Sequence, residues 1–503
     1  MLVKENQDEF QNYLTDASNL SGGFADKLYL PETKAEIAEI LKQANEKRIA
    51  VTISGARTGT VGGAIPFGGY IISLEKFNKI REINKIDNFA IVESGVILND
   101  FQNAVDAENL FYPPDPTEWS CQIGGTIATN ASGARSFKYG ATRNFVKRLE
   151  IVLPNGDFLN LKRGEVFSKD GFIELETEQG NSLKAKLPTY QKPATRKNTS
   201  GYFSGETVDA IDLFIGSEGT LGIITAAELV VLPKPESAFS GIIFFENEEN
   251  LLKFVNEVKE KSLQNRETEN HRLKTQDQKS IDASLIEYFD EEALKFISEK
   301  FPEVPPNAIG AIFFEQEMTS DTEDPLLEQW NELIEKNHAD LERSWFTTNE
   351  QDLEKMREFR HALPVSVNEK IVRYKQKKIG TDMAVPDENF ASFLRFYKEK
   401  LNESGLEYVI FGHIGDNHLH ANMIPKNEAE ATKARQLYGR FIAQSIMLGG
   451  TISAEHGIGK LKKHYLYVMF GERYLNEMVE VKKAFDPHRI LSRLNLFDEK
   501  FLS

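Results

Sequence analysis

The chain is organised around the stretch Val409-Ile410-Phe411-Gly412-His413-Ile414-Gly415-Asp416-Asn417-His418-Leu419-His420-Ala421-Asn422. The apolar residues before Gly412 predict a buried strand, and the glycines and asparagine that follow predict a turn. If the chain leaves this turn as a second strand, His418 and His420 share one face with Asn422, because strand side chains alternate with a period of two.

A second piece, Ile452-Ser453-Ala454-Glu455-His456-Gly457, adds a carboxylate and a further imidazole. Two imidazoles brought together across a turn, with one carboxylate from elsewhere, form a three-ligand divalent metal site with open positions. We therefore predict His413, His420 and Glu455 as metal ligands. The alternative is a polar turn whose histidines only bond to the backbone, and the adjacent Glu-His pair favours the metal site.

Length and composition set broad limits on this protein. A chain of 503 residues exceeds one ordinary core, so two or three domains are expected. A net charge of −17 argues against nucleic acid or an anionic membrane as partner. No signal peptide or membrane span is predicted, and a cytoplasmic location is expected, with peripheral attachment to the inner membrane face as the alternative. The single Cys121 excludes an internal disulfide.

The N-terminal half contains a glycine-rich loop that directly follows a predicted strand. Thr33 is predicted to begin a helix and residues 49–53 a strand, which runs into Ser54-Gly55-Ala56-Arg57-Thr58-Gly59-Thr60-Val61-Gly62-Gly63. Backbone N–H groups in such a loop can turn towards one point and bind a pyrophosphate. The loop lacks the Rossmann spacing and a Walker lysine, and a plain surface loop is the alternative.

Three further stretches support a dinucleotide site: residues 112–117, Ile123 to Gly133 and residues 213–225. Small residues let a flat ring system approach the backbone, and Thr126, Thr129, Asn130 and Ser132 offer polar contacts. The last stretch is predicted to be a glycine-laced strand, and the first thirty residues are predicted to be irregular. Strands and helices alternate, so this half is predicted to be α+β.

This half resembles the flavin-binding domain of the vanillyl-alcohol-oxidase-type FAD oxidoreductases. The resemblance rests on the Ser54–Gly63 loop, Pro114-Asp115-Pro116, the Ile123–Gly133 stretch and Gly216-Ser217-Glu218-Gly219-Thr220-Leu221-Gly222. It implies an FAD site, and the FAD is expected to be non-covalent because no histidine precedes His271. The residues that it implies for cofactor binding are Ser54, Gly55, Ala56, Arg57, Thr58, Gly59, Thr60, Gly62, Gly63, Pro114, Asp115, Thr117, Gly124, Gly125, Thr126, Ala128, Thr129, Asn130, Gly133, Tyr139, Gly140, Glu218, Gly219, Gly222 and Ile223.

A domain boundary is predicted at Pro233 and Pro235. Strands predicted at residues 241–245, 283–289, 310–315 and 408–412, with helices between them, indicate a second α+β domain. The predicted division is an FAD-binding domain (1–235), a substrate- and metal-binding cap domain (236–455) and a C-terminal segment (456–503) that packs back on the FAD domain. A polar loop is predicted at 265–279, and the segment Arg196–Tyr202 is either near the flavin edge or a solvated loop.

The C-terminal half resembles the FAD-linked D-2-hydroxy-acid dehydrogenases. The resemblance rests on Gly412–His420 and on Ser453-Ala454-Glu455-His456-Gly457-Ile458-Gly459. It implies that His413, His420 and Glu455 hold Zn²⁺ or Mn²⁺ beside the flavin and that His456 acts as the base. Asn417-His418 replaces the family's Gly-Asn, so His418 could compete for the metal or lie behind its ligands.

The resemblance also implies residues that bind substrate. Arg357, in Arg-Glu-Phe-Arg, is predicted to bind the substrate carboxylate, and Lys378 or its neighbour Lys377 is predicted near the pocket entrance. Asn422 is predicted to hydrogen-bond the substrate from the same strand face as His420.

The resulting prediction is flavin-dependent oxidation of a D-2-hydroxy acid, with D-lactate favoured over D-2-hydroxyglutarate or glycolate. Electrons would pass to an external acceptor: a quinone, an electron-transfer flavoprotein or a cytochrome. Two alternatives from other classes are a non-redox FAD transferase resembling the ether-lipid alkyl synthases and a binding subunit without turnover. The intact histidine motifs favour the dehydrogenase over both.

Overall fold

A computed structural model of the chain describes residues 1–269 and 279–502. The first half contains the strands β1 (Leu2–Lys4), β2 (Lys27–Leu30), β3 (Val51–Ser54), β4 (Tyr70–Ser73), β5 (Ile80–Asn84), β6 (Phe89–Glu93), β7 (Leu110–Phe111), β8 (Val146–Val152), β9 (Phe158–Lys162), β10 (Phe172–Glu176), β11 (Ser182–Lys186), β12 (Ile223–Val230) and β13 (Leu232–Pro233). Its helices are α1 (Lys34–Lys47), α2 (Leu98–Asp106), α3 (Ile123–Thr129), α4 (Ser136–Tyr139) and α5 (Ala210–Phe214).

The second half contains the strands β14 (Ser237–Phe245), β15 (Leu285–Asp290), β16 (Gly310–Met318), β17 (Trp345–Thr347), β18 (Ile379–Gly380), β19 (Tyr408–Gly412) and β20 (His420–Met423). Its helices are α6 (Glu248–Glu269), α7 (Glu291–Ile297), α8 (Glu323–Lys336), α9 (Glu350–Tyr374), α10 (Asp387–Ser404), α11 (Glu428–Met447), α12 (Lys463–Phe485) and α13 (Glu499–Leu502). The predicted α+β class is confirmed.

Two larger sheets form the flavin half, with two-stranded sheets β10-β11 and β13-β7 beside them. The first larger sheet has the order β1-β2-β4-β3, and β2, β4 and β3 are parallel, with α1 as the crossover from β2 to β3. Thr33 caps α1, since its side chain accepts a hydrogen bond from Glu36 N, as the sequence predicts. The second sheet has the order β5-β6-β12-β8-β9 and is antiparallel, and the short α3 lies against β6 and β12.

One seven-stranded sheet forms the second half, in the order β17-β14-β16-β15-β19-β20-β18. β19 and β20 pair antiparallel across the histidine turn, with Phe411 opposite His420. The prediction of a strand, a turn and a second strand at 409–422 is therefore confirmed. Because the two strands are neighbours in a buried sheet, the histidines on either side of the turn lie close together.

The chain's last residues return to the flavin half. Val51 N donates to Ile490 O at 2.8 Å, and Ser492 N donates to Val51 O at 2.7 Å. Asn495 Nδ2 donates to Gly63 O at 3.1 Å, so the tail also closes one side of the glycine-rich loop. These bonds join the two ends of the sequence at the site described below.

Three local predictions are wrong. Residues 2–4 and 27–30 form strands rather than irregular chain, because β1 pairs with β2 and β2 with β4. Residues 213–225 are not one strand: α5 ends at Phe214, a turn follows, and β12 begins at Ile223. Residues 265–269 belong to the end of α6, anchored by Arg266, and 270–278 lie outside the described residues.

Candidate active site

Three histidines and one glutamate meet in the interior at the turn between β19 and β20. His413, His418, His420 and Glu455 each offer one ligand atom, and these atoms lie within 4.8 Å of one another. His413 Nε2 is 3.1 Å from Glu455 Oε1, and His420 Nε2 is 3.8 Å from Glu455 Oε2. The predicted ligand set is thus brought together, and His418 joins it.

Two of these imidazoles are oriented from behind. His413 Nδ1 lies 2.5 Å from Glu287 Oε1 on β15, and His420 Nδ1 lies 2.9 Å from the carbonyl of Thr381. A carboxylate or carbonyl on one ring nitrogen fixes the tautomer and leaves the other nitrogen free to bind a metal. Nε2 of both rings therefore faces Glu455.

The charges around His413 determine its protonation state. Burial lowers the pKa of His413, but the charges of Glu287 and Glu455 and the hydrogen bond with Glu287 together outweigh it, and the pKa is raised to about 9. Burial alone would raise the pKa of Glu287, yet the charges of His413 and Arg360 hold it well below its usual range. Any metal that binds Nε2 of His413 must displace a proton, because a histidine ligates in its neutral form.

His418 is fully buried, and neither of its ring nitrogens has a hydrogen-bond partner among the described residues. Its Nε2 lies 3.2 Å from Asp382 Oδ1 in poor alignment, and its Nδ1 lies 3.8 Å from Glu455 Oε1. A buried polar atom without a partner is costly, and a bound ion is one way to satisfy it.

Lys197 completes the charge balance around Glu455. Its Nζ donates to Glu455 Oε1 at 2.5 Å and to Gly133 O at 2.9 Å, and it lies 3.4 Å from Asp416 Oδ2. Ser132 Oγ donates to the same Glu455 oxygen at 3.0 Å. Burial alone would raise the pKa of Glu455, but the charges of Lys197 and His413 lower it well below its usual value.

His456 lies beside this cluster, and its ring stacks at 5.5 Å on that of His420. Its Nδ1 is 3.5 Å from Asp382 Oδ2, and 35% of its side chain is exposed to the adjoining cavity. Burial lowers the pKa of His456 against the opposing charge of Asp382. The ring is thus neutral near pH 7, as a general base must be.

Asp382 is the hub that holds the second histidine motif in place. Its carboxylate accepts hydrogen bonds from the backbone N–H groups of Glu455 and His456, both at 3.1 Å. Ser453 Oγ and Lys462 Nζ donate to it at 2.7 and 2.5 Å. These donors fix the peptide that carries the predicted ligand and the predicted base.

A cavity of about 370 Å³ opens from this cluster into the flavin half. His420, Glu455 and His456 line one end, and the glycine-rich loop and α3 line the rest. The predicted cofactor residues that line it are Gly55, Ala56, Arg57, Thr58, Gly59, Thr60, Gly63, Thr117, Gly124, Gly125, Thr126, Ala128, Thr129, Gly133, Glu218, Gly219, Gly222 and Ile223.

The other predicted cofactor residues lie outside this cavity. Pro114 and Gly62 do not line it, and Ser54 is fully buried beneath the loop. Asp115 faces Arg135, and the Tyr139 hydroxyl donates to Glu317 at 2.8 Å. The remaining two, Asn130 and Gly140, line a separate cavity.

The cavity's own chemistry fits a flavin. A Cβ added to Gly59 or Gly125 would meet only open space, so both glycines keep room for a flat ring or a phosphate chain. Ser94 Oγ and Gln122 Oε1 are buried, line the cavity and lack a hydrogen-bond partner among the described residues. Such orphaned groups suit the polar edge of a bound ring system.

The predicted substrate residues are not gathered at this cavity. Arg357 Nη2 lies 3.3 Å from Glu315 Oε2 and lines a neighbouring cavity of about 280 Å³ with Arg135 and Arg360. Asn422 is buried on β20, where its Nδ2 donates to His420 O at 3.2 Å. Lys378 is exposed on the segment before β18.

Sequence analysis missed the roles of Glu287, Asp382 and Lys197. Each had a usable signal, because Glu287 and Asp382 are single charges within apolar runs and a buried charge needs a partner. Lys197 lies in the segment Arg196–Tyr202, which the sequence predicts to be either near the flavin edge or a solvated loop. All three contact a residue of the cluster.

The fold and the site define an FAD-linked oxidoreductase. The family model "FAD binding domain" matches residues 25–162, and "FAD linked oxidases, C-terminal domain" matches residues 273–496. The chain is 33% identical to D-lactate dehydrogenase from Anaerostipes hadrus, over 91% of this chain and 86% of that protein. It therefore belongs to the FAD-linked D-2-hydroxy-acid dehydrogenase family, as the motifs predict.

Other relatives have different substrates in their names. The chain is 29% identical to glycolate oxidase subunit GlcD from Bacillus subtilis (96% of this chain, 92% of that protein). It is 28% identical to D-2-hydroxyglutarate dehydrogenase from Xanthomonas citri (93% and 88%). A solved alkyldihydroxyacetonephosphate synthase shares the fold at a TM-score of 0.65 with 16% identity, over 97% of this chain and 81% of that one. None of the described helices is long and apolar enough to cross a bilayer.

Proposed function

We propose that the protein oxidises a D-2-hydroxy acid, D-lactate first among them, to the 2-oxo acid, with FAD in the glycine-lined cavity and a divalent metal on His413, His420 and Glu455. The observation that carries this proposal is the shared opening: two of the three ligands, His420 and Glu455, and the base line the same end of one cavity, with His413 directly behind them. Donor type and spacing suit Zn²⁺ or Mn²⁺.

When bound, FAD accepts the hydride from the substrate carbon, and the metal lowers the pKa of the substrate hydroxyl. The protein's own groups supply the proton acceptor. Asp382 lies 3.5 Å from Nδ1 of His456, which leaves Nε2 to take the hydroxyl proton. The same carboxylate stabilises the imidazolium that then forms, much as a buried aspartate does in other histidine-base sites.

Lys197 and Glu287 keep the site neutral enough to assemble. The Lys197 ammonium offsets the charge of Glu455, and Glu287 offsets the charge on His413. Without these partners, several unpaired ions would be buried together, at a cost of roughly several kcal/mol for each of them. Orientation of the reacting groups is thus obtained before substrate arrives.

The choice of D-lactate rests on the relative with 33% identity, and D-2-hydroxyglutarate and glycolate are the alternatives. The guanidiniums of Arg357, Arg135 and Arg360 are each bound to a buried carboxylate. Any substrate carboxylate that binds one of these arginines has to compete with its partner, so the three arginines do not by themselves distinguish a monocarboxylic from a dicarboxylic acid. Arg357 remains our candidate for the substrate carboxylate, with Asn422 and Lys378 as further candidates.

The remaining alternative is a non-redox FAD transferase of the alkyl-synthase type. Its support is a shared fold, and likeness at 16% identity carries no inference about activity. For the electron acceptor we propose an external quinone, electron-transfer flavoprotein or cytochrome, since the single Cys121 excludes a cysteine-ligated iron–sulfur cluster held within this chain.

An anaerobic absorption spectrum tests the proposal. Purified yellow protein should bleach on addition of D-lactate and stay yellow with L-lactate. His456→Ala should bleach at least about a hundredfold more slowly, since general-base catalysis supplies about 10²–10⁴ in rate. His488→Ala is the matched control, because His488 is exposed and bonded to Asn45 at the surface. A flavin that no D-2-hydroxy acid reduces would refute the dehydrogenase.

Metal content is tested separately. Elemental analysis should find one equivalent of zinc or manganese in the wild type and a large loss in His420→Ala. If the metal content of that variant equals that of His488→Ala, the cluster does not bind the ion. Removal of the metal by a chelator should abolish bleaching by D-lactate while the flavin spectrum persists.

A further inference from the structure

A second cavity, of about 310 Å³, lies on the other side of the wall formed by residues 130–132 and Lys197. None of the described residues that line it is acidic. Six are basic: Lys138, Arg143, Lys192, Arg196, Lys197 and Arg266. A concave surface lined by one sign of charge concentrates the field and attracts ions of the opposite sign.

Five of these cations contact carboxylates that do not line the cavity. Lys138 and Arg266 both contact Asp282, at 3.2 and 2.6 Å. Arg143 and Arg163 both contact Asp212, at 2.7 and 3.0 Å. Lys138 also contacts Glu317 at 2.8 Å, and Arg163 also lies 3.9 Å from Asp209, so these cations are paired with carboxylates outside the lining.

Arg196 and Lys259 share a carboxylate in the same way, each 2.6 Å from an oxygen of Asp387. Asp387 is half exposed, so water screens its charge further. Arg196 is therefore the cavity cation whose carboxylate partner is both shared and partly screened.

Lys192 has no hydrogen bond or ion pair among the described residues. Its Nζ sits 3.4 Å from the centre of the Phe203 ring, and the guanidinium of Arg143 sits 4.4 Å from the same ring. Burial and the charge of Arg143 lower the pKa of Lys192 to about 8. Two cations that converge on one ring at the mouth of a cavity repel each other until an anion lies between them.

We propose that this cavity is a binding site for a small oxyanion, a carboxylate or a phosphate, held by Lys192 and Arg143 at its mouth. The side-chain amide of Asn198 also lines it and supplies a neutral donor. The volume suits a small metabolite or a phosphate with its hydration water. The site is separate from the flavin cavity, although Lys197 and Ser132 line the wall of one and contact Glu455 of the other.

Calorimetric titration of the flavin-loaded protein tests the site, with inorganic phosphate and succinate as probes at an ionic strength held constant with chloride. We expect one saturable site that weakens about tenfold or more in Lys192→Gln, since a hydrogen bond to a charged group is worth one to two factors of ten. Lys147→Gln is the matched control, because Lys147 also lies over a phenylalanine ring, Phe89, but outside the cavity.

If only one probe binds, the site is specific for that oxyanion. If phosphate and succinate both bind, the site recognises the negatively charged oxygens that they share. Equal affinity in wild type and Lys192→Gln overturns the proposal, as does binding of neither probe. Anions that bind at the metal cluster are distinguished by the same variant, since Lys192 does not line that cavity. A crystal soaked with selenate should show the anion beside Lys192, and density only at the metal cluster would also overturn the proposal.

Discussion

Replacement of Asp382 by asparagine tests how the active-site peptide is held. The side chain is fully buried and accepts four hydrogen bonds: from the N–H groups of residues 455 and 456, from Ser453 and from Lys462. Asparagine keeps the shape but has one acceptor oxygen instead of two. Whichever way the amide turns, its NH₂ group faces a donor, and Lys462 loses its counter-charge.

The expected loss of unfolding free energy follows from the burial of Asp382 and Lys462. Removal of one partner from a buried ion pair costs about 3–5 kcal/mol, because the remaining charge stays desolvated. Lys462 is 9% exposed, so no discount for solvent screening applies. Burial alone would raise the pKa of Asp382, but the charges of His456, which is protonated in acid, and of Lys462 hold it well below its usual value. This stabilisation is complete above about pH 4 and is lost only in stronger acid, so neutral pH is the right condition.

The assay is urea unfolding of wild type and Asp382→Asn, with Asp352→Asn as the matched control. Asp352 also pairs with a lysine, Lys355, but 48% and 71% of the two side chains are exposed. An exposed ion pair is worth about 0–1 kcal/mol, so the control should unfold close to wild type. Asp382→Asn should unfold at a clearly lower urea concentration.

The same variant should reduce its flavin more slowly with D-lactate, by about 10–100-fold, as loss of a residue behind a metal or base typically does. If Asp382→Asn unfolds at the same urea concentration as Asp352→Asn, the peptide at 453–456 is not held by this carboxylate. If the variant reduces its flavin slowly but is as stable as wild type, the role of Asp382 is limited to its interaction with His456.

Three other predictions concern the flavin cavity, its metal end and one buried acid. Gly125→Ala should keep or raise the stability of the flavin-free protein, by about 0.5–1 kcal/mol, and lower its flavin content, because the new methyl meets only the cavity. Gly133→Ala should destabilise the flavin-free protein by about 1–3 kcal/mol, because a Cβ there would lie 2.2 Å from Asp115 O. Equal stability of the two glycine variants would contradict both predictions. Lys197→Met should destabilise the protein by about 3–5 kcal/mol and Lys197→Arg by less, checked by urea unfolding, because methionine leaves two buried carboxylates without their cation. Burial raises the pKa of Asp290 to about 7, so the folded protein keeps a proton on this carboxyl that the unfolded chain releases near about pH 4. The free energy of unfolding therefore falls as the pH rises between these values. Asparagine does not titrate, so the melting temperature of Asp290→Asn should rise relative to that of wild type from about pH 5 to about pH 8.

Local pattern was enough to predict the two histidine strands and the flavin loop. The apolar run 409–411, the turn at Gly412 and the alternation of His418, His420 and Asn422 fixed β19 and β20, since a period of two admits few other structures. Glycines at 55, 59 and 63 indicated a backbone that approaches a ligand, and all three line the cavity. These features depend on neighbours in sequence, so the sequence alone carries them.

The partners of these motifs depend on contacts between distant residues. Glu287 and Lys197 reach the cluster across 126 and 258 residues of chain, and no periodicity encodes such pairs. The tertiary structure also placed Arg357 against Glu315 rather than at the flavin cavity, and it put six cations around a second cavity. Sequence therefore determined which groups do chemistry here, while three-dimensional packing decided their partners, because burial makes each charge find an opposite charge wherever the chain folds back.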